Sequence, residues 1–447
     1  MIIKNINDET LPFKVKKYFK KYSDSKWCLE LSESKFYNTV IVIPAIAEFE
    51  NIKLLLDSLA ENDKKYFDET LIVFAINNLP DAEITVKADN KNSIELFKSI
   101  INKEENELNS KILNSGLNFG LVDMSTSGNE MPQKDGGVGV ARKTGMDLAL
   151  TVFNYESSSK KVIVCLDADC TVSQNYITEI NKEFTSRNLF AAYVNFHHSH
   201  NGSEEQQLAI ICYEIFLRNY VLGLKYAKSP YGFHTIGSTM ACDYESYIKI
   251  QGMNKRKAAE DFYFMEKLAK NVKVQSIRTA TVFPSGRGSW RVPFGTGQRV
   301  NRYLSHAKNE YLLYNPGSFR MLKEWLNVFL AADNFTSERY MELAGQINPA
   351  VKSFLIEQSF EKAWDKILAN SGKAEQIQRQ KSLWFDGFRT LKFIHFLRDN
   401  GFPSVSMFDA LDSMFQLNST HFKIERESKI PDKDIQLKYL EILRKQA

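Results

Sequence analysis

The chain has 447 residues, enough for more than one core, so two domains are the default expectation. Its 58 basic and 54 acidic residues leave a net charge of +4, too balanced to argue for nucleic acid, and 43% hydrophobic with 25% charged residues is an ordinary globular composition. Five scattered cysteines (Cys28, Cys165, Cys170, Cys212, Cys242) show no C-x-x-C spacing, which fits reduced thiols in a cytoplasmic setting better than a disulfide framework or a zinc site.

The opening residues are too charged for a secretory signal. The most apolar window, Leu208–Leu222, is broken by Glu214 and Arg218, so a soluble chain is expected. Residues 8–22 read as a basic amphipathic helix with Phe13, Tyr18 and Phe19 among lysines. Such a helix can touch an anionic membrane surface, or it can pack on the core and leave a solvated face; the second reading is preferred.

Thr39–Ile43 is the first clear strand, stopped by Pro44, and an amphipathic helix follows with Ile52, Leu55, Leu56 and Leu59 on one face. Leu71–Ile76 is a second strand ending on Asn77 and Asn78. A polar helix near Ser93–Ile101 precedes a third strand, Asn118–Met124. Strand alternating with helix is the signature of a mostly parallel sheet. After the polar loop 125–137 a helix begins near Val138, and then comes the run Val162–Leu166, short and β-branched.

That fourth strand ends on Asp167-Ala168-Asp169. Two carboxylates at the carboxyl end of a central strand lie where open α/β sheets place ligands. Their oxygens suit Mg²⁺ or Mn²⁺ and, through the ion, a diphosphate. On the residues alone, Asp167 ending the strand and Asp169 capping the next helix explains the pair as well.

Beyond it, Phe190–Phe196 reads as a strand leading into His197, His198 and His200, which we take for a strand edge rather than a metal cluster. Glu204–Lys225 is a long, largely interior helix, Gly237–Cys242 a short strand, Ala259–Ala269 a helix opening on paired acids, and Val272–Phe283 one or two further strands. Past about Asn301 helical periodicity and aromatic residues dominate.

Four stretches fall at strand ends or helix starts: Pro44-Ala45-Ile46-Ala47-Glu48, Gly139-Val140-Ala141-Arg142-Lys143-Thr144-Gly145, Asp167-Ala168-Asp169, and Glu260-Asp261 after the glycine-bearing strand Gly237–Ala241. In this order they resemble a GT-A fold glycosyltransferase of the family 2 type, over roughly residues 38–290. The resemblance implies an α/β fold with a Rossmann-like, mostly parallel sheet and a helical C-terminal region. The divisions expected are an N-terminal helical extension (1–37), a GT-A domain (38–300) and helices from 301 to 447.

The resemblance further implies a sugar moved from a nucleotide-diphospho-sugar to a hydroxyl acceptor, saccharide or lipid-linked, with Mn²⁺ or Mg²⁺. Pro44, Ala45, Glu48, Asn77, Asn78, Arg142 and Asp167 would hold the donor. Asn77-Asn78 stand where the family has Asp-Gly, which changes the hydrogen-bonding pattern offered to the base. Asp167 and Asp169 would bind the metal, with His306 as a further ligand. Asp261 would be the base of an inverting transfer and Glu260 its neighbour. Gly237 and Ser238, with Arg287, Trp290 and Arg291 of the glycine-punctuated segment Ser285–Gly297, would meet the acceptor or a phosphate. That segment also reads as a plain connector.

Two other readings stand beside this one. A nucleotidyltransferase would open with a glycine-rich, Arg-containing loop after the first strand, where PAIAEFEN is found. A non-catalytic nucleotide-sugar-binding module needs no intact Asp167, Asp169 and Asp261. The expected setting is cytoplasmic, at the inner membrane face if the basic helix makes contact there.

Overall fold

The computed structural model describes residues 2–3, 11–23, 26–289, 295–419 and 424–446. These form two compact units, one built mainly from Met1–Ser199 and Thr235–Ser285, the other from His200–His234 and Gly295–Ala447.

The first unit is organised by one sheet. In chain order its elements are β1 (Ile2–Ile3), α1 (Phe13–Tyr22), β2 (Leu29–Leu31), β3 (Thr39–Ala45), α2 (Phe49–Ala60), β4 (Thr70–Asn77), α3 (Ile84–Ile101), the single turn α4 (Ser110–Leu113), β5 (Asn118–Met124), α5 (Val138–Ala149), β6 (Val162–Cys165), β7 (Thr171–Val172), α6 (Tyr176–Ser186) and β8 (Ala191–Phe196). The chain returns from the second unit, which holds α7 (Glu204–Tyr226), to add β9 (Met240–Asp243), α8 (Tyr244–Lys249), α9 (Glu260–Ala269) and β10 (Val274–Phe283).

The strands lie in the order β1-β2-β5-β4-β3-β6-β9-β8-β10-β7. β5, β4, β3 and β6 are mutually parallel, as are β8 and β10, whereas β9 runs antiparallel between β6 and β8. This is the expected mostly parallel α/β sheet. Every residue of β3 and β4 is buried, as a β-branched, continuously apolar run requires when helices cover both sheet faces.

Pro44 does not stop β3. The Val42 carbonyl accepts the Leu166 amide, which places Val42, and Pro44 two residues on, toward β6. The pairing with β6 ends at Val42 opposite Cys165, so at Pro44 no β6 residue is left to receive a bond. The missing N–H therefore costs nothing, and β3 continues against β4 to Ala45. The stretch expected as one strand from Gly237 opens instead with a turn of 3₁₀ helix, Gly237–Thr239, before β9.

The N-terminal residues are no separate extension, because β2 pairs antiparallel with β5 and α1 packs by Val15 and Tyr18. Tyr18 donates a 2.7 Å hydrogen bond to Asp147 of α5, which also accepts from Tyr247 at 2.6 Å and pairs with Lys143 at 2.9 Å. The result is a buried polar knot that fastens α1 and α8 to α5.

The second unit is helical, as expected of the C-terminal region, but it claims α7 as well and so departs from a boundary at residue 301. To α7 it adds α10 (Thr296–Leu304), α11 (Pro316–Phe329), α12 (Ser337–Ile347), α13 (Pro349–Glu357), α14 (Phe360–Asn370), α15 (Ala374–Trp384), α16 (Gly387–Asp399), α17 (Met407–Leu417) and α18 (Lys433–Gln446). Its core is aromatic: Trp325 stacks on Phe329 with centroids 5.1 Å apart, and Phe360 and Trp364 lie nearly parallel at 6.0 Å. Among the described residues α7 is the one helix that passes a membrane-span test on length and composition, yet two thirds of its most apolar window is buried within the protein.

Candidate active site

The site begins where β3 gives way to α2. Ala45 is the last residue of β3, and Ala47 sits in the left-handed region at φ 51°, a strained position for a residue with a side chain. The Ala47 amide is held by Asn90 of α3, which accepts it at 2.9 Å and donates to the Asn77 carbonyl and to the Asn78 side chain at 3.0 and 2.8 Å. Glu48 is buried and accepts from Asn51 at 2.5 Å. One residue on α3 thus ties together the turns after β3 and β4. Nothing in the polar run around Asn90 marked it out beforehand.

The centre is Arg142, in the second turn of α5. Glycines let this helix approach its surroundings: a side chain at Gly145 would strike Val42, and one at Gly139 would strike the Arg256 carbonyl. The Arg142 guanidinium is buried, with Nη1 on the Glu260 carboxylate and Nη2 on the Asp167 carboxylate. Burial disfavours its charge, but the two carboxylates hold it protonated well above the ordinary arginine value. The turn after β6 and the start of α9 are therefore joined through one side chain.

α9 starts abruptly. Ala259 is left-handed at φ 57°, and Asn254 grips the Glu260 carbonyl at 2.8 Å. Burial raises the Glu260 carboxyl above its usual range while Arg142 opposes the rise. Asp261 is half-buried and accepts the Phe262 amide at 2.7 Å. Burial and then the charge of Glu260 push its carboxyl up to about 7, against the pull of Arg142. Two adjacent carboxyls thus sit in different settings, one clamped by a guanidinium and the other able to carry a proton near neutrality.

Several expected roles change. Arg142 does not offer its fork to an anion, because both terminal nitrogens already serve Asp167 and Glu260. Gly237 and Ser238 are buried rather than open to an acceptor: Gly237 lies against the Arg142 guanidinium and Ser238 beside Cys170. Asn77 and Asn78 are buried too. Asn77 Nδ2 donates to the carbonyls of Ala45 and Ala75 at 2.9 and 3.0 Å, and Asn78 Nδ2 to those of Leu79 and Ser125 at 3.0 and 3.4 Å. Their donors are taken up by backbone carbonyls and are not offered to a base.

His306 belongs to the second unit. It is exposed there, 3.6 Å from Glu205. Arg287 groups with that unit as well, and Gly288 and Gly297 are packed places where a Cβ would meet Asn301 and Ser289. Trp290 and Arg291 lie outside the described residues. Of the three histidines after β8, His198 is buried edge-on against Phe196 with centroids 5.4 Å apart, and is not at a solvent edge.

Among the described residues no three His, Cys, Asp or Glu side chains come together to hold a metal ion. Asp167 is about one-third exposed (34%) with one oxygen given to Arg142, and Asp169 is half-buried two residues on. Two carboxylates do not make an all-protein cage for Mn²⁺ or Mg²⁺. They do match an ion bound by one or two carboxylates together with substrate phosphates.

No family model matches the chain, and no curated protein matches it. Among solved structures it is similar to S. aureus TarS 1–349 in complex with UDP-GlcNAc (12% identity, 85% of this chain and 81% of that one, TM-score 0.38). It is similar also to the mannosyltransferase PcManGT of Pyrobaculum calidifontis in complex with GDP-Man and Mn²⁺ (13% identity, 87% and 93%, TM-score 0.34). A third is glucosyl-3-phosphoglycerate synthase of Mycobacterium tuberculosis with Mn²⁺, UDP and glucosyl-3-phosphoglycerate (11% identity, 60% and 74%, TM-score 0.32). At these identities and scores the likeness assigns no residue a role.

Proposed function

We propose that this GT-A-like chain is a glycosyltransferase that moves a sugar from a nucleotide-diphospho-sugar to a hydroxyl acceptor, with inversion. One observation supports this most: Arg142 joins the Asp167 turn to the Glu260-Asp261 helix, so the residues suited to a donor diphosphate and those suited to proton abstraction form one rigid group.

In this reading Asp261 takes the proton of the attacking hydroxyl. Its raised pKa makes it a stronger base than an ordinary aspartate, yet leaves about half of it ionised at pH 7 and more above. Glu260, anionic against Arg142, keeps α9 in register with the turn after β6 and favours the deposit of a proton on Asp261. Asp169, with the unpaired side of Asp167, would hold Mn²⁺ or Mg²⁺ brought in with the donor. The ion, when bound, supplies positive charge to the leaving diphosphate. Asn90, through Ala47, Asn77 and Asn78, holds the turns after β3 and β4 together.

The test is release of nucleoside diphosphate from a panel of UDP- and GDP-sugars with Mn²⁺. Release by the wild type, abolished in Asp169→Ala and in Asp261→Asn, supports the reading. No release, and no thermal stabilisation by UDP or GDP with Mn²⁺, would leave only a generic α/β protein.

A further inference from the structure

The N-terminal helix presents a surface that the proposed chemistry does not use. α1 reads FKVKKYFKKY, with five lysines and no acid. At about 100° per residue, Val15, Tyr18, Phe19 and Tyr22 share one side. Val15 and Tyr18 are buried, and Tyr18 is bound to Asp147 and to Lys143 at 2.7 and 3.0 Å. That side is bolted to the protein, so the helix has a fixed orientation.

The other side spans an arc of about 160° carrying Lys14, Lys16, Lys17, Lys20 and Lys21. Lys14 pairs with Glu245 at 3.2 Å, and Lys21 lies over the Tyr22 ring at 5.1 Å. Lys16, Lys17 and Lys20 have no acidic partner among the described residues. Near the middle of this arc stands Phe13, 78% exposed. A solvated face needs no aromatic ring at its centre, and a protein-packing face would not be ringed by unpaired lysines. An apolar side chain within a lysine field suits a lipid–water boundary, where the ring enters the headgroup layer and the ammonium groups meet lipid phosphates.

We propose that the exposed face of α1 docks on an anionic lipid surface, with Phe13 inserting and Lys16, Lys17, Lys20 and Lys21 meeting the headgroups. Each lysine near such a surface contributes about fivefold in affinity, so three of them account for about a hundredfold. Screening by salt weakens the attraction. The arrangement brings the protein to a membrane by one fixed helix and does not depend on which sugar, if any, is transferred.

The test is co-sedimentation of the full chain with phosphatidylcholine vesicles, with and without phosphatidylglycerol, at low and high salt. The wild type is expected to pellet with the anionic vesicles alone and to be released by salt. Lys17→Gln/Lys20→Gln/Lys21→Gln should weaken that binding about a hundredfold, and Phe13→Ser should reduce it with the salt dependence kept. Circular dichroism and the melting temperature confirm that the variants fold. No binding to anionic vesicles overturns the proposal, as does equal binding by the triple variant or equal binding to neutral vesicles. Retention on soluble poly-glutamate without vesicle binding would assign the face to an anionic polymer instead. No substrate enters the measurement, so its failure and that of the glycosyltransferase reading are separate results.

Discussion

Arg142 and Gly237 occupy one space. A Cβ on Gly237 would stand 2.7 Å from Nη1 and 2.8 Å from Cζ of the guanidinium, inside any real contact distance. Gly237 has no left-handed φ to require a glycine, so the requirement is steric. Gly237→Ala should push the guanidinium off its two carboxylates. The expected result is a loss of about a hundredfold or more in turnover, as for an ångström-scale misplacement of reacting groups, with a stability cost of about 1–3 kcal/mol. Nucleoside diphosphate release and chemical denaturation on the same protein check both, and an unchanged rate would show that Arg142 positions nothing.

The Asp261 carboxyl gives two predictions of opposite sense. As a base it must be ionised, so turnover should rise with pH through an apparent pKa near 7, and Asp261→Asn should lower it by orders of magnitude while nucleotide binding persists. Stability runs the other way. Between the unfolded carboxyl's ordinary value and about 7 the folded state holds a proton that the unfolded state has lost, so stability falls as pH rises across that window. In Asp261→Asn this fall should flatten, which melting temperatures from pH 4 to pH 8 will report. Collapse of nucleotide affinity in the same variant would make Asp261 a binding residue.

Asp147 accepts from Tyr18 and Tyr247 and pairs with Lys143, all of them buried. Asp147→Ala leaves the Lys143 ammonium unpaired in the interior and should cost about 3–5 kcal/mol. Tyr18→Phe removes two hydrogen bonds, the one given to Asp147 and the one accepted from Lys143, but no charge, and should cost about 1–3 kcal/mol. Urea denaturation distinguishes the two, and near-equal losses would mean the knot is not held by charge.

What could be read in the sequence followed from local periodicity. The parallel strands announced themselves as β-branched runs, and β5 (Asn118–Met124) was legible to the residue. Three of the four motifs come together, since Arg142 meets both Asp167 and Glu260. Their roles were less legible, because a role depends on what a side chain touches across the fold. Nothing local shows that both terminal nitrogens of Arg142 would be taken by two carboxylates 25 and 118 residues away. The carbonyls that absorb the amides of Asn77 and Asn78 were equally hidden. The strands β1, β2 and β7 are two or three residues long, too short for any alternation to register. The grouping of α7 with the C-terminal helices is a matter of tertiary packing alone.

The metal prediction concerns order of arrival. With no described cluster of three ligands, the protein without nucleotide should show the same melting temperature with Mn²⁺ and with a chelator. Mn²⁺ together with UDP or GDP should raise it, by about 2.7 kcal/mol at a hundred times the dissociation constant. Asp169→Ala should abolish the metal-dependent part of that rise. A large shift from Mn²⁺ alone would reveal a resident ion.

The last prediction concerns α7 and the charges inside it. Glu214 is fully buried and receives Arg218 Nε at 2.8 Å, and Arg444 of α18 through Nε at 2.8 Å and Nη2 at 3.1 Å. Two guanidinium groups converge on one carboxylate, so the carboxylate cannot be removed without leaving net positive charge in a place that water does not reach. Glu214→Gln keeps the shape and half of the acceptor capacity but no charge. It should destabilise the second unit by about 3–5 kcal/mol, which is more than a lost neutral hydrogen bond would cost. Arg444→Met should cost less, because Arg218 remains to balance Glu214. Melting curves of the three proteins give the order wild type, Arg444→Met, Glu214→Gln if charge decides. If packing decides, the shape-preserving Glu214→Gln is instead the milder change.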